Sequence, residues 1–218
     1  MELLEEIIAS RNVGKRRVDP NRGGWEDMGV DVALRQPSLL RRYERTMGFL
    51  TQSVSLDTLR TSSILDCGEP NPLTRWLKDN FQIVVENTPP DLDFDYCFKG
   101  SSPPKQYDFV FAFEILEHLM NPLIFLEFIA SSVKPTGKVF LSTPFIRPRF
   151  LWSKYHITEY FPDKIEEMAE KAGLSVRRYQ RANVYPLGSG LLGIRPLFRL
   201  WYERIMLFEL VKASPTHR

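Results

Sequence analysis

Apolar residues recur along this chain with two distinct periods. Leu3, Leu4, Ile7 and Ile8, and then Leu39, Leu40, Tyr43, Met47 and Leu50 between about Ser38 and Ser53, return every three or four positions, as helices with one buried face require. Beyond residue 60 the pattern changes to short apolar runs closed by turn residues. These predict strands at Ile64-Leu65, Gln82 to Glu86, Asp108 to Phe113, Gly137 to Pro144, Leu174 to about Asn183 and Arg204 to Lys212. Helical spacing fills the intervals: Leu73, Trp76 and Leu77 after a start at Asn71 or Pro72, then Asn121 to Val133, then a helix opened by His156 to Pro162, running to Ala172 and stopped by Gly173. Such alternation predicts an α/β, doubly wound sheet, and Asp108 to Phe113, apolar on both faces, suits its centre.

The spacing is least regular between Glu86 and Tyr107. Only 20 residues lie there, with Pro89-Pro90 and Pro103-Pro104 among them, too few for a full crossover helix and a strand. A shortened third strand is expected around Asp95 to Phe98, its helix reduced to a turn. Asp91, Asp93 and Asp95 alternate there and suit solvation or turn capping. Residues 1–60 read as a helical N-terminal extension or lid, interrupted by a basic loop from Gly14 to Gly24, and residues 61–218 as the main domain. Arg195 to Tyr202 reads either as a loop, given the surrounding Pro and Gly, or as an amphipathic helix that could lie on a membrane surface.

Composition adds little except through charge. The net +2 conceals +6 from Val176 to Arg218, where eight Lys or Arg meet two acids, and −4 elsewhere. That basic segment is either a solvated face or a contact for something anionic. Two cysteines, Cys67 and Cys97, without metal-type spacing exclude a disulfide framework and suit a reducing cytoplasm. The start, Met1-Glu2-Leu3-Leu4-Glu5-Glu6, is acidic where a secretory signal would be basic, and no apolar run nears the ~20 residues of a membrane span. A soluble cytoplasmic protein with no transmembrane segment is expected; oligomeric state is not encoded legibly.

Candidate chemistry starts at Ser63 to Thr74, a buried strand that breaks at Gly68 and opens a helix. Ligands of open α/β sheets sit where such strands end. Glu86 lies 20 residues beyond Asp66 at the next strand's end, where a carboxylate can accept hydrogen bonds from both ribose hydroxyls of a nucleoside, although acids are common there regardless. Ile64-Leu65-Asp66-Cys67-Gly68 resembles the first motif of the class I (Rossmann-like) S-adenosylmethionine (AdoMet)-dependent methyltransferases, type 11/23-like, with Glu69-Pro70-Asn71-Pro72 where that family has further glycines. Tyr107 through Leu119, Lys134-Pro135-Thr136-Gly137 and Leu141-Ser142-Thr143-Pro144 are similar to the second half of the same family. The resemblance implies a seven-stranded, mostly parallel sheet whose last strand, Arg204 to Lys212, inserts antiparallel. It also implies AdoMet held by Asp66, Cys67, Gly68, Glu86, Asp93, Phe113 and Glu114.

Glu114, Glu117 and His118 stand at i, i+3 and i+4, so a helical turn after the Asp108 strand would point all three to one side. His156, 38 residues on, can reach the same rim. Carboxylate and imidazole donors suit Mg²⁺, Mn²⁺ or Zn²⁺. The set Glu114, Glu117, His118 and His156 resembles the metal site of the small-RNA 3′-terminal ribose 2′-O-methyltransferases, and its first part the O-methyltransferases of ubiquinone synthesis. Three roles stay open: metal ligands, His118 or His156 as catalytic general base, or capping and packing. The function these features imply is AdoMet-dependent methyl transfer, an enzyme acting at an oxygen of a small or mid-sized acceptor. Two rivals stand beside it: a methyltransferase-like binding or scaffold protein whose cofactor loop is degenerate, and a metal-assisted RNA ribose methyltransferase using Arg147, Arg149, Arg177, Arg178 and Arg181 against phosphates. Ser142, Thr143 and Asp108 do not form a nucleophile elbow.

Overall fold

The computed structural model describes residues 37–68, 70–90, 92–95, 105–184 and 204–213. The expected first helix and basic loop, the strand residues after Asp95 and the segment from Arg195 to Tyr202 lie outside these. Helix α1 (Pro37–Thr51) and the short α2 (Leu56–Thr61) precede strand β1 (Ile64–Asp66). There follow α3 (Pro72–Phe81), β2 (Glu86–Asn87), β3 (Tyr107–Phe113), α4 (Pro122–Ser132), β4 (Val133–Pro144), α5 (Pro162–Lys171), β5 (Leu174–Asn183) and β6 (Arg204–Lys212). The sheet runs β2-β1-β3-β4-β6-β5, parallel from β2 through β4, with β6 antiparallel to both neighbours. The doubly wound architecture and the inserted antiparallel strand are as expected. Among the described residues the sheet has six strands rather than seven, and Asp95 sits in a turn.

Two buried clusters cover the faces of the sheet. One joins Val110, Ala112, Leu126, Ile129 and Ile165; the other joins Phe109, Phe111 and Phe140 to Met47, Phe49 and Leu50 of α1 and to Trp76 and Leu77 of α3. Helix α1 therefore shares the core of the sheet, each fully buried large apolar side chain contributing roughly 1.5–3 kcal/mol. A charged clasp holds it as well: Glu209 of β6, 1% exposed, forms ion pairs with Lys138 and with Arg178, whose guanidinium lies 3.9 Å over the Phe49 ring and donates to the Phe49 carbonyl.

Local chemistry fixes the element ends. Asn71 caps α3 through its Oδ1, which accepts from the Leu73 and Thr74 amides at 3.0 and 3.1 Å, and Pro72 follows at the first helical position. The second strand is shorter than its β-branched run predicts. Gln82 takes a left-handed φ of 57° to cap α3, and only Glu86 and Asn87 pair with β1. At Gly137 a Cβ would stand 2.7 Å from the Asp108 carbonyl oxygen, so the irregular register between β3 and β4 admits no side chain there. No described helix is long and apolar enough to cross a membrane.

Candidate active site at the carboxyl ends of the central strands

Strand β1 ends on Asp66, which is 1% exposed. Its Oδ2 accepts from Asn71 Nδ2 at 2.9 Å and from Asn87 Nδ2 at 3.1 Å. Burial outweighs those two bonds and pushes the carboxyl up to about 8, so Asp66 is mostly protonated at neutral pH when no cation faces it. Cys67 beside it is buried and unpaired, its thiol raised well above the ordinary range by burial and by Asp66. Gly68 turns the chain with φ +100°, and among the described residues beyond its chain neighbours only the tip of Ile115, at 3.9 Å, lies near where a side chain would stand.

The turn is knitted to β2. The Gly68 amide donates to Thr88 Oγ1 at 2.8 Å, and the Gly68 carbonyl accepts from Asn87 Nδ2 at 3.1 Å. Asn87, opposite Asp66 in the ladder, is thus the polar residue that faces the turn. Glu86 precedes it by one position and belongs to the other face, where it pairs with Lys105 and accepts from the Tyr107 hydroxyl; those bonds hold its carboxyl below the ordinary range. The sequence predicts a sugar-facing acid at Glu86; in the structure the β2 side chain in contact with Asp66 and Gly68 is that of Asn87. Asp93 is exposed and its Oδ1 accepts from the Asp95 amide at 2.8 Å, a local turn. Asp95 in turn accepts from the Asn121 amide at 2.7 Å, at the start of α4. Phe113 is half-buried and stacked on Phe111.

After β3 the chain forms a 3₁₀ turn, Leu116–His118, instead of the α-helical turn expected, and Glu114 before it takes φ +58°. Glu114 consequently does not join the other three candidates. Its Oε1 accepts from Ser142 Oγ at 2.8 Å, and Oε2 pairs with Arg42 of α1, a residue that no local pattern in the sequence singled out. Glu117 is 1% exposed and accepts from Thr143 Oγ1 at 3.0 Å; burial, with Glu114 nearby, raises its carboxyl well above the ordinary range.

Glu117, His118 and His156 do converge, with one donor atom from each within 4.8 Å of the others. The two imidazoles lie 5.0 Å apart, nearly perpendicular. Each is oriented through Nδ1, which contacts the Tyr155 carbonyl at 2.9 Å in His118 and Glu159 Oε1 at 2.9 Å in His156. A carbonyl only accepts, so His118 carries a proton on Nδ1, and Nε2 is the nitrogen of the neutral ring that would offer a lone pair. Burial lowers the pKa of His156 and favours its neutral form. Glu159, 3% exposed, also takes a forked contact from Arg147. Such outer contacts are what metal-ligating or base histidines carry, one nitrogen anchored and the other exposed to chemistry.

Four of the arginines that could meet phosphates have partners within the fold: Arg147 with Glu159, Arg177 and Arg178 with Glu209, and Arg181 over the Phe145 ring.

Comparisons with known proteins agree with this architecture. The chain is 32% identical over 106 residues to the ubiquinone biosynthesis O-methyltransferase of Aeromonas salmonicida, covering 41% of this chain and 44% of that protein. It therefore spans less than half the length of the curated relatives it matches. Among solved structures it resembles a chain from the complex of the Haloferax volcanii Trm112 methyltransferase activator with a methyltransferase, with TM-score 0.59, 16% identity, and coverage of 89% of this chain and 100% of that one. It also resembles the O-methyltransferase of a Brevibacillus brevis trans-AT PKS multienzyme bound to S-adenosyl-L-homocysteine, with TM-score 0.52, 12% identity, and coverage of 91% and 82%. At these identities the two structures speak for the fold. The sequence model of the methyltransferase domain family matches residues 24–179, most of the chain, and the protein belongs to that family.

Proposed function

We propose that the chain is an AdoMet-dependent methyltransferase acting at an oxygen of a small or mid-sized acceptor. The observation that carries this reading is the His118 and His156 pair, each anchored at Nδ1, beside buried Glu117 at the carboxyl end of β3 in a methyltransferase-family domain. The O-methyltransferase named among the relatives supports oxygen as the acceptor atom. AdoMet fits the β1 turn at Gly68, where the left-handed backbone and the missing side chain leave room for a ligand against the chain. Asp66, Gly68 and Asn87 would hold it; Asn87 spends its amide hydrogens on Asp66 and Gly68 and offers Oδ1 as an acceptor for a sugar hydroxyl.

Bound AdoMet supplies an already activated methyl group, so the protein's work is alignment, exclusion of water and removal of one proton. His118 Nε2 or His156 Nε2 would take that proton from the acceptor hydroxyl. Helix α1, reaching Glu114 through Arg42, would cover the acceptor side, consistent with residues 1–60 as an extension over a domain of residues 61–218.

A divalent ion at Glu117, His118 and His156 is a further part of the proposal. Burial raises the Glu117 carboxyl and so favours its neutral form, and an ion would favour the carboxylate while lowering the pKa of a bound acceptor hydroxyl. The buried free thiol of Cys67 suits action in the cytoplasm.

One observation favours the scaffold reading instead: Thr88, Asn71 and Asn87 satisfy the polar groups of the turn from within the protein. Calorimetry of the full chain with S-adenosylhomocysteine decides. Saturable binding near 1:1 is expected, and a folded protein that takes up none at about millimolar ligand would leave the scaffold reading in place.

A further inference from the structure

A cavity of about 250 Å³ lies beside the histidine pair. Its walls include Arg42 of α1, Arg147 and Ser153 of the segment after β4, His156, Pro144 at the end of β4 and Arg204 at the start of β6. The antiparallel insertion of β6 brings these together: Pro144 pairs with Ile205 and Asn183 with Arg204, so the carboxyl ends of β4 and β5 and the first residue of β6 meet at the same sheet end as the site.

Three arginines line one small space, and none of its described lining residues is acidic. Arg42 and Arg147 are held in place by carboxylates that do not line the cavity, Arg42 by Glu114 and Arg147 by Glu159, whose side chain is fully enclosed. Arg42 uses Nη1, and Arg147 uses Nε and Nη2, in those pairings. Each guanidinium has five N–H donors, so both retain donors after pairing. Like charges cost energy when gathered around a cavity, and forked donors held by neighbouring carboxylates are how proteins prepare to receive a carboxylate or phosphate. The volume lies below the roughly 300–1,000 Å³ of pockets for drug-sized ligands, which suits a compact anionic group and not a polymer.

We infer that this arginine-lined cavity binds an anionic group, carboxylate or phosphate, carried by the methyl acceptor, and so sets the acceptor class as a small organic anion. The cavity wall contains His156, so an anion seated there places the rest of the acceptor beside the histidine pair. This assignment of the acceptor rests on the methyltransferase reading; binding of the anion does not.

The test is equilibrium binding of benzoate, phenyl phosphate and neutral benzamide to the full chain at about 50 mM and about 300 mM salt, beside a titration with S-adenosylhomocysteine. At least one anion is expected to bind about tenfold or more tighter than benzamide and to weaken at the higher salt. Tighter benzoate identifies a carboxylate site and tighter phenyl phosphate a phosphate site. Ser153→Asp adds a carboxylate to the wall without removing a buried partner, and should weaken the preferred anion about tenfold while leaving S-adenosylhomocysteine binding unchanged. Equal binding of benzamide, or anion affinity that Ser153→Asp leaves unchanged, overturns the inference. Cofactor binding without anion binding removes this proposal alone. Anion binding without cofactor binding upholds the cavity assignment and removes the methyltransferase reading.

Discussion

Asn87 stands opposite Asp66 in the β1–β2 ladder and donates its side-chain amide to the buried carboxyl at 3.1 Å. The same amide reaches the Gly68 carbonyl, so one side chain ties the strand end to the turn where a nucleoside would lie. Glu86, its neighbour, is committed to Lys105 on the opposite face.

The two residues should therefore separate cleanly in binding. Asn87→Ala is expected to weaken S-adenosylhomocysteine by about tenfold and, by leaving Asp66 with one fewer donor, to cost about 1–2 kcal/mol of stability. Glu86→Ala, which removes an exposed ion pair, should change affinity less than about threefold and stability by less than about 1 kcal/mol. Calorimetry and urea titration measure both. Stronger loss with Glu86→Ala would return the sugar-facing role to the carboxylate.

Asp66 also predicts an unusual pH dependence. Its folded pKa of about 8 lies above the ordinary value near 3.9, so between these limits the folded state binds the proton and the unfolded state does not. The contribution is complete below about pH 4 and is lost as pH rises, at no more than about 1.4 kcal/mol per pH unit, until it levels off above about pH 8. Urea midpoints of the ligand-free protein should thus fall between about pH 5 and 7 relative to those of Asp66→Asn, which cannot titrate there. Parallel profiles for the two proteins would show that Asp66 is ionised when folded.

The alternation of strand and helix was legible because burial imposes its period directly on residue type, and Asp108 to Phe113 reads as a central strand for that reason. Residues whose geometry departs from their type were not. Gln82 and Glu114 both take left-handed backbone, which neither side chain advertises, and the first shortens β2 while the second turns Glu114 away from the metal-like trio. The choice between Glu86 and Asn87 hung on a single step along a strand, and one step reverses the face. Arg42 meets Glu114 across 72 residues, through packing of α1 that no local pattern specifies.

The clasp at Glu209 should add to the apolar packing of Met47, Phe49 and Leu50 that holds α1 on the sheet. Its carboxylate, 1% exposed, faces Lys138 and Arg178, which stay partly exposed, so Glu209→Ala removes two charge-assisted contacts and is expected to cost about 1–3 kcal/mol. Combining it with Arg178→Met removes one of the two cations, and the double variant should regain a measurable part of the loss in urea unfolding. Strict additivity of the two would mean that the residues act independently.

The histidine pair can act with an ion or without one, and the two modes predict different responses to metal removal. If Glu117, His118 and His156 hold a divalent ion, the full chain dialysed against Mn²⁺ or Zn²⁺ should retain about one ion per chain. His118→Ala and His156→Ala should each lower its affinity by at least about tenfold, and methyl transfer should fall on chelation and return with added ion. If one histidine serves as proton acceptor alone, chelation should leave turnover unchanged, whereas substitution of the accepting histidine should cost about 10²–10⁴-fold in kcat with the cofactor still bound. Elemental analysis of the dialysed protein, read beside turnover with and without chelator, separates the modes. Glu159→Gln adds an independent check, because its carboxylate orients His156 at 2.9 Å: it should weaken the ion in the first mode and leave the ion signal absent in the second.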